Sequence, residues 1–196
     1  MSALDTLTAE HRLIEFAIDS MQALLEKAGT SQRLSARPFL EFEAFILRYA
    51  DGAHHIKEEL VLFEELGKKG LSLDTGPVGR MLEEHEAGRN LRLVLGRTAR
   101  ACAEGDFDGY ADMLHSASTY GDLLKTHIQK EDQILYPMAL RLLSPEVLSQ
   151  LPTRFRASDA TTLLAFENAV HRIEVVAARE WEKCSSAGAF SQAGAM

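Results

Sequence analysis

The chain has 196 residues, 46% hydrophobic and 26% charged, which suffices for one sizeable core and argues against wholesale disorder. Its formal charge of −8, with no basic stripe, argues against nucleic acid or an anionic membrane surface as partner. No apolar run approaches the roughly 18 residues that span a bilayer. The first residues, MSALDTLTAEHRLIE, lack a basic segment followed by an apolar block, and two distant cysteines stand outside any CxxC, so a cytoplasmic protein with reduced thiols is expected.

The pattern is helical almost throughout, with five prolines and apolar residues recurring at three and four. A first helix is predicted over Leu4 to Lys27, with the stripe Leu4, Leu7, His11, Ile14, Ile18, Met21 and Leu25, and Gly29 as its stop. A second, over Ala36 to Leu66, carries Leu40, Ala44, Leu47, His54, Glu58 and Leu62 on one face. A turn-rich connection from Gly67 to Pro77 leads to a third, with Met81, His85, Gly88, Leu91, Leu95 and Thr98, ended by Gly105. The fourth, over Phe107 to Leu143, carries Leu124, Ile128, Glu131, Leu135, Met138 and Leu142, with Pro137 expected to bend its last turns. Four long helices with short connections predict an all-α, up-down-up-down four-helix bundle over residues 1–145. Accessory helices are expected over 146–184, the last from about Ala157 to Lys183 and anchored by Trp181, then a loose tail over 185–196.

The chemistry lies in what occupies the stripes. His11, His54, His85 and His127 each fall in the apolar stripe of a different helix, and Glu58 and Glu131 each follow a stripe histidine by four residues. Residues four apart share a helical face, so each HxxxE presents an imidazole beside a carboxylate. A buried carboxylate without a partner costs several kcal/mol, and no lysine or arginine stands beside either glutamate in its stripe. Each histidine stands about 17 to 20 residues from the same end of the bundle, which at 1.5 Å per residue puts all four at one height. A metal ion resolves the buried charge. Six side chains are too many for one zinc, imidazole with carboxylate suits iron or manganese, and two carboxylates are able to bridge two ions. No histidine has a glutamate three residues before it, which sets aside a ferritin-type site.

The spacing His11, His54-x-x-x-Glu58, His85, His127-x-x-x-Glu131 resembles the hemerythrin-like (HHE cation-binding) family. The stretches EHRLIE (10–15), HHIKEELVLF (54–63), GPVGRMLEEHEAGR (76–89) and HIQKEDQILYPMA (127–139) reinforce the likeness, which covers residues 1 to about 145. The resemblance implies two iron ions bridged by Glu58 and Glu131, with His11 and His54 on one and His85 and His127 on the other. Manganese or zinc would be alternative occupants in a purified sample.

One departure stands out. Oxygen-carrying hemerythrins place a further histidine four residues after the third-helix ligand, where this chain has Arg89. The resemblance then implies two histidines per iron and a symmetric site, which disfavours simple oxygen storage. His55 and Glu59 repeat the HxxxE spacing one residue along, but their upstream positions Glu41, Phe45 and Arg48 are less apolar, so both are expected to flank the site. Arg89 and Tyr120 are expected beside the metals rather than on them, and Gly88 is expected either to leave space for a ligand or to pack helices. The functional expectation is a di-iron protein that binds or reacts with dioxygen, peroxide or nitric oxide, for sensing, protection or redox turnover. The alternatives are a non-enzymatic iron- or oxygen-responsive binding module and an oxygen-storage protein. The sequence identifies no electron donor and no organic substrate.

Overall fold

The computed structural model describes residues 2–27 and 33–158. Gly29, the helix expected over 157–183, the tail and Trp181 therefore lie outside the described residues, apart from the first two positions of that helix. Over the described residues the protein is all-helical, and none of these helices is long and apolar enough to cross a membrane. α1 (Ala3–Lys27) buries Leu4, Leu7, His11, Ile14, Ile18 and Met21 along one face, as the stripe predicts.

The second helical run, residues 37–68, is not a uniform α-helix. It comprises α2 (Arg37–Phe45), a π-helical stretch (Ile46–His54), one α turn, α3 (His55–Lys57), a second π stretch (Glu58–Leu62) and α4 (Phe63–Lys68). A π turn holds more residues than an α turn, so α-helical counting across it assigns the wrong face. Counting back from His54 at α spacing lands on Leu47 and Leu40. Leu47 is 44% exposed, Leu40 and Ala44 are half-buried, and the inner face instead carries Phe39, Phe42, Ile46, Tyr49, Ala50 and Ala53.

α5 (Gly76–Ala103) has Pro77 in its first turn and ends before Gly105, whose φ of 93° a residue with a side chain rarely adopts. The fourth run, 110–142, repeats the irregularity of the second: α6 (Tyr110–Lys130), a π stretch (Glu131–Leu135) and α7 (Tyr136–Leu142). Beyond the π stretch the inner face moves from the expected Met138 and Leu142 to Tyr136, Ala139 and Leu143, and Leu142 is left 39% exposed. Pro137 sits in the first turn of α7, directly after the π stretch.

The core divides in two. One apolar cluster includes Ile14, Ile18, Phe42, Ile46, Leu95, Ala99, Leu124 and Ile128. The other includes Leu4, Leu7, Leu62, Leu66, Met81, Leu135 and Ala139, and α8 (Pro145–Ser158) adds Leu151 and Phe155 to it. α1 and α5 pass from the second cluster to the first, and the runs 37–68 and 110–142 pass from the first to the second. Where the four runs cross from one cluster to the other, each carries its buried histidines.

Candidate metal centre

At that crossing layer the six stripe residues converge, joined by a seventh. His11, His54, Glu58 and Glu131 form one group and His55, Glu58, His85 and His127 a second; within each group the potential ligand atoms lie within 4.8 Å of one another. All seven residues are 2% exposed or less. Oε2 of Glu131 lies 3.2 Å from Nε2 of both His11 and His127, and Oε2 of Glu58 lies 3.6 Å from Nε2 of His54 and 3.5 Å from that of His85. Each glutamate thus reaches toward a histidine of either group. The Nε2 atoms of His85 and His127 are 3.0 Å apart.

The other ring nitrogen of each histidine is fixed from outside. Nδ1–H of His11 donates to Asp132 (2.8 Å), of His54 to Glu10 (2.9 Å), of His55 to Asp51 (3.2 Å), of His85 to Glu59 (2.7 Å) and of His127 to Glu84 (3.0 Å). The sequence logic is cyclic: α1 supplies Glu10 to the second run, which supplies Glu59 to α5. α5 supplies Glu84 to the fourth run, which returns Asp132 to α1. Every one of these carboxylates also holds a cation: Arg12 on Asp132, Lys57 on Glu10, Arg92 on Asp51, Arg89 on Glu59, and Arg80 with Lys130 on Glu84. The carboxylates orient the imidazoles, keep the proton on Nδ1 and turn the Nε2 lone pair inward.

Lys57 is the buried member of this cation set, 1% exposed. Removing one partner of a buried ion pair costs about 3–5 kcal/mol, because the other charge stays behind. Lys57→Met is therefore expected to lower the unfolding temperature of the metal-free protein and, by loosening Glu10 and His54, to weaken metal binding. An unchanged melting curve together with unchanged metal affinity would show that Lys57 does not anchor Glu10.

Without a metal the buried charges rearrange around protons. Burial opposes the charge on His127, but Glu131 and Glu84 outweigh it and hold the imidazolium up to about 9. His11 is likewise raised against burial by Asp132 and Glu131. Burial, aided by neighbouring imidazoles, pushes His54 and His85 well below the ordinary value, and burial also lowers His55. Glu58 is driven up by burial and by Glu131, whereas His127 and His11 outweigh burial and hold Glu131 well down. Within this layer four buried atoms are left with no hydrogen bond: Nε2 of His55, Oε2 of Glu58 and both oxygens of Glu131. All four are lone-pair atoms open to a cation, and the imidazole and carboxylate donors of the two groups are chemically suited to hold metal.

A pH consequence follows. The raised His127 contributes stability to the metal-free protein fully below its ordinary value of 6.5, and that contribution is lost as pH rises through about 9. Ligand imidazoles must be neutral, so metal loading at pH 7 is expected to release protons from His127, and the release should fade toward pH 9. Titration in weakly buffered solution with a pH indicator measures this; loading at pH 7 without proton release would contradict the assignment.

The structure places His55 inside the second group, not beside it, with its ring stacked on His85 at 3.8 Å. Arg89 binds Glu59 and Glu86, so it supports His85 through Glu59, which is not a member of either group. Tyr120 is buried edge-on to Phe42 with its hydroxyl unbonded, and its ring lies 3.4 Å from where a Cβ on Gly88 would sit, which makes Gly88 a packing glycine. His115 is exposed and stands apart from the layer.

Sequence reading missed Tyr136, whose hydroxyl donates to Glu58, and the outer carboxylates Glu10, Asp51, Glu84 and Asp132. One signal was available for three of the four: Glu10, Glu84 and Asp132 each sit directly beside one of the six stripe histidines and glutamates, His11, His85 and Glu131.

No curated protein and no solved structure matches the chain. The family model described as the Hemerythrin HHE cation binding domain matches residues 2–139. With more than half of the chain covered, and a buried His/Glu layer able to hold cations inside that span, the protein belongs to the hemerythrin HHE cation-binding family.

Proposed function

We propose that the protein is a non-haem di-iron protein that binds or reacts with a small ligand (dioxygen, peroxide or nitric oxide) in sensing, protection or redox turnover. The observation that carries this reading is the pair of buried four-residue groups sharing Glu58, with five inward Nε2 atoms whose Nδ1 atoms are all pinned. His11 and His54 would hold one ion and His55, His85 and His127 the other, with Glu58 and Glu131 between them. Bound there, ferrous ions supply the electrons and coordination positions that chemistry with these small molecules needs. The chain's own contribution is to bury the layer between two apolar clusters, keep bulk water out and hold every imidazole in one tautomer. The alternating order in which the four runs traverse the two clusters supports an up-down-up-down bundle around the centre.

The unequal histidine count also favours a second reading, reversible oxygen storage. The place of the fifth histidine, vacant at Arg89 in the sequence, would be filled by His55 from the neighbouring run, whose potential ligand atom lies within 4.8 Å of those of Glu58, His85 and His127. One metal position then has three histidines and the other two, so small-ligand binding at the poorer position no longer requires a change at residue 89.

Iron analysis of the purified protein, with optical spectra before and after peroxide and nitric oxide, tests the proposal. Bound iron and a spectrum that responds to either reagent are expected. Zinc alone, with no iron uptake by reduced apoprotein, would overturn it, and a reversible dioxygen spectrum over repeated cycles would select the storage reading.

A further inference from the structure

Tyr136 faces two ways. Inward, its hydroxyl donates to Oε1 of Glu58 at 2.6 Å and lies 3.2 Å from Nε2 of His11, and its ring stacks parallel to the His11 ring at 5.4 Å. Outward, it helps to wall a surface groove of about 390 Å³ with Leu4, Thr8, Arg12, Asp132 and Leu140. The charged groups at that groove are already engaged: Arg12 with Glu15 and Asp132, Asp132 with His11, and Asp5 with the backbone N–H of Ser2. The groove therefore offers apolar walls and no free charge, which suits an uncharged molecule better than an ion.

The inward contact makes the two central glutamates unequal. Glu131 has both oxygens without a hydrogen bond, whereas Glu58 has only Oε2 in that state, directed between His54 and His85. Its other oxygen is held by the phenol.

We propose that Tyr136 is a positioning residue of the metal centre: its hydroxyl reserves one oxygen of Glu58, so that Glu58 offers the metals a single oxygen and a position near His11 stays available to a small uncharged ligand, which arrives by the groove behind the ring. This rests on the reading of the site as a two-metal centre. Glu131, met by the ligand histidines His11 and His127 and by no phenol, carries the firmer link between the ions. Nothing in this role requires the phenol itself to bind metal.

The test uses full-length protein, with cobalt(II) as the spectroscopic probe and nitric oxide on the ferrous protein as the ligand probe. Metal content is measured first. If the unmodified protein holds fewer than two ions, the two-metal reading fails, and the role of Tyr136 falls with it. With two ions bound, Tyr136→Phe is expected to keep the metal count but free the second oxygen of Glu58. The cobalt visible bands should then weaken as cobalt gains a donor, and nitric oxide affinity should fall about tenfold, the lower end for losing a partner that orients a metal ligand. Leu140→Trp, at a residue 54% exposed, should fill the groove and slow nitric oxide association without altering the cobalt spectrum or the equilibrium affinity. An unchanged cobalt spectrum and affinity in Tyr136→Phe would overturn the positioning role. So would a tyrosinate-to-iron charge-transfer band in the unmodified ferric protein that disappears in this variant, because Tyr136 would then be a ligand. An unchanged association rate in Leu140→Trp would overturn the groove as the route.

Discussion

Glu58→Ala is expected to empty both metal positions and to remove the thermal stabilisation that metal confers. Glu58 is the one residue common to both ligand groups, so its loss takes a donor from each, whereas loss of a histidine takes a donor from one. Metal present at a thousand times its dissociation constant stabilises the folded state by about 4 kcal/mol. For a chain of this length that corresponds to a rise in Tm on the order of 10 °C. The metal-free protein should respond less, because burial and Glu131 already discourage charge on Glu58 and its removal leaves chiefly a cavity, with the Tyr136 hydroxyl still beside Nε2 of His11. The measurement is a pair of melting curves, with and without ferrous iron, for both proteins. A metal-induced rise that survives Glu58→Ala would show that the carboxylate is not part of the centre.

His55→Ala is expected to cost one ion and spare the other. His55 belongs only to the group with His85 and His127, its Nε2 has no hydrogen-bond partner, and its Nδ1 is fixed on Asp51. Losing a partner that merely orients a ligand weakens metal binding about 10- to 100-fold, so losing a direct donor should reach at least the upper end of that range. Arg89→His supplies the contrast. Residue 89 engages Glu59 and Glu86, so the new imidazole is expected to add no ligand, while the loss of the guanidinium from Glu59 loosens His85. Metal titrations of the two variants decide the matter. If Arg89→His raises affinity and His55→Ala leaves the stoichiometry intact, the fifth histidine position lies on α5 after all.

The helical runs among the described residues, the stop at Gly105 and the convergence of His11, His54, Glu58, His85, His127 and Glu131 were legible in the sequence, because the six residues lie in stripes that α-helical spacing reveals. His55 and Tyr136 were not, and for one shared reason. Each directly follows a π stretch, Ile46–His54 and Glu131–Leu135 respectively. The wider turn changes the face that each following residue presents, so a count at 3.6 residues per turn puts Leu47 and Leu142 inside and His55 outside. The outer carboxylates were hidden differently. Glu10 and Glu84 sit beside inward residues in the sequence, but their partners, His54 and His127, lie on neighbouring helices, and pairwise contacts of that kind appear only once the bundle is assembled.

The central claim is that two ions sit in one buried layer and share Glu58. Anomalous diffraction from crystals loaded anaerobically with ferrous iron measures this directly. Two iron peaks are expected, one against His11 and His54 and the other against His55, His85 and His127, with Glu58 reaching both. A single peak, or an iron pair that leaves His55 unligated, would contradict it.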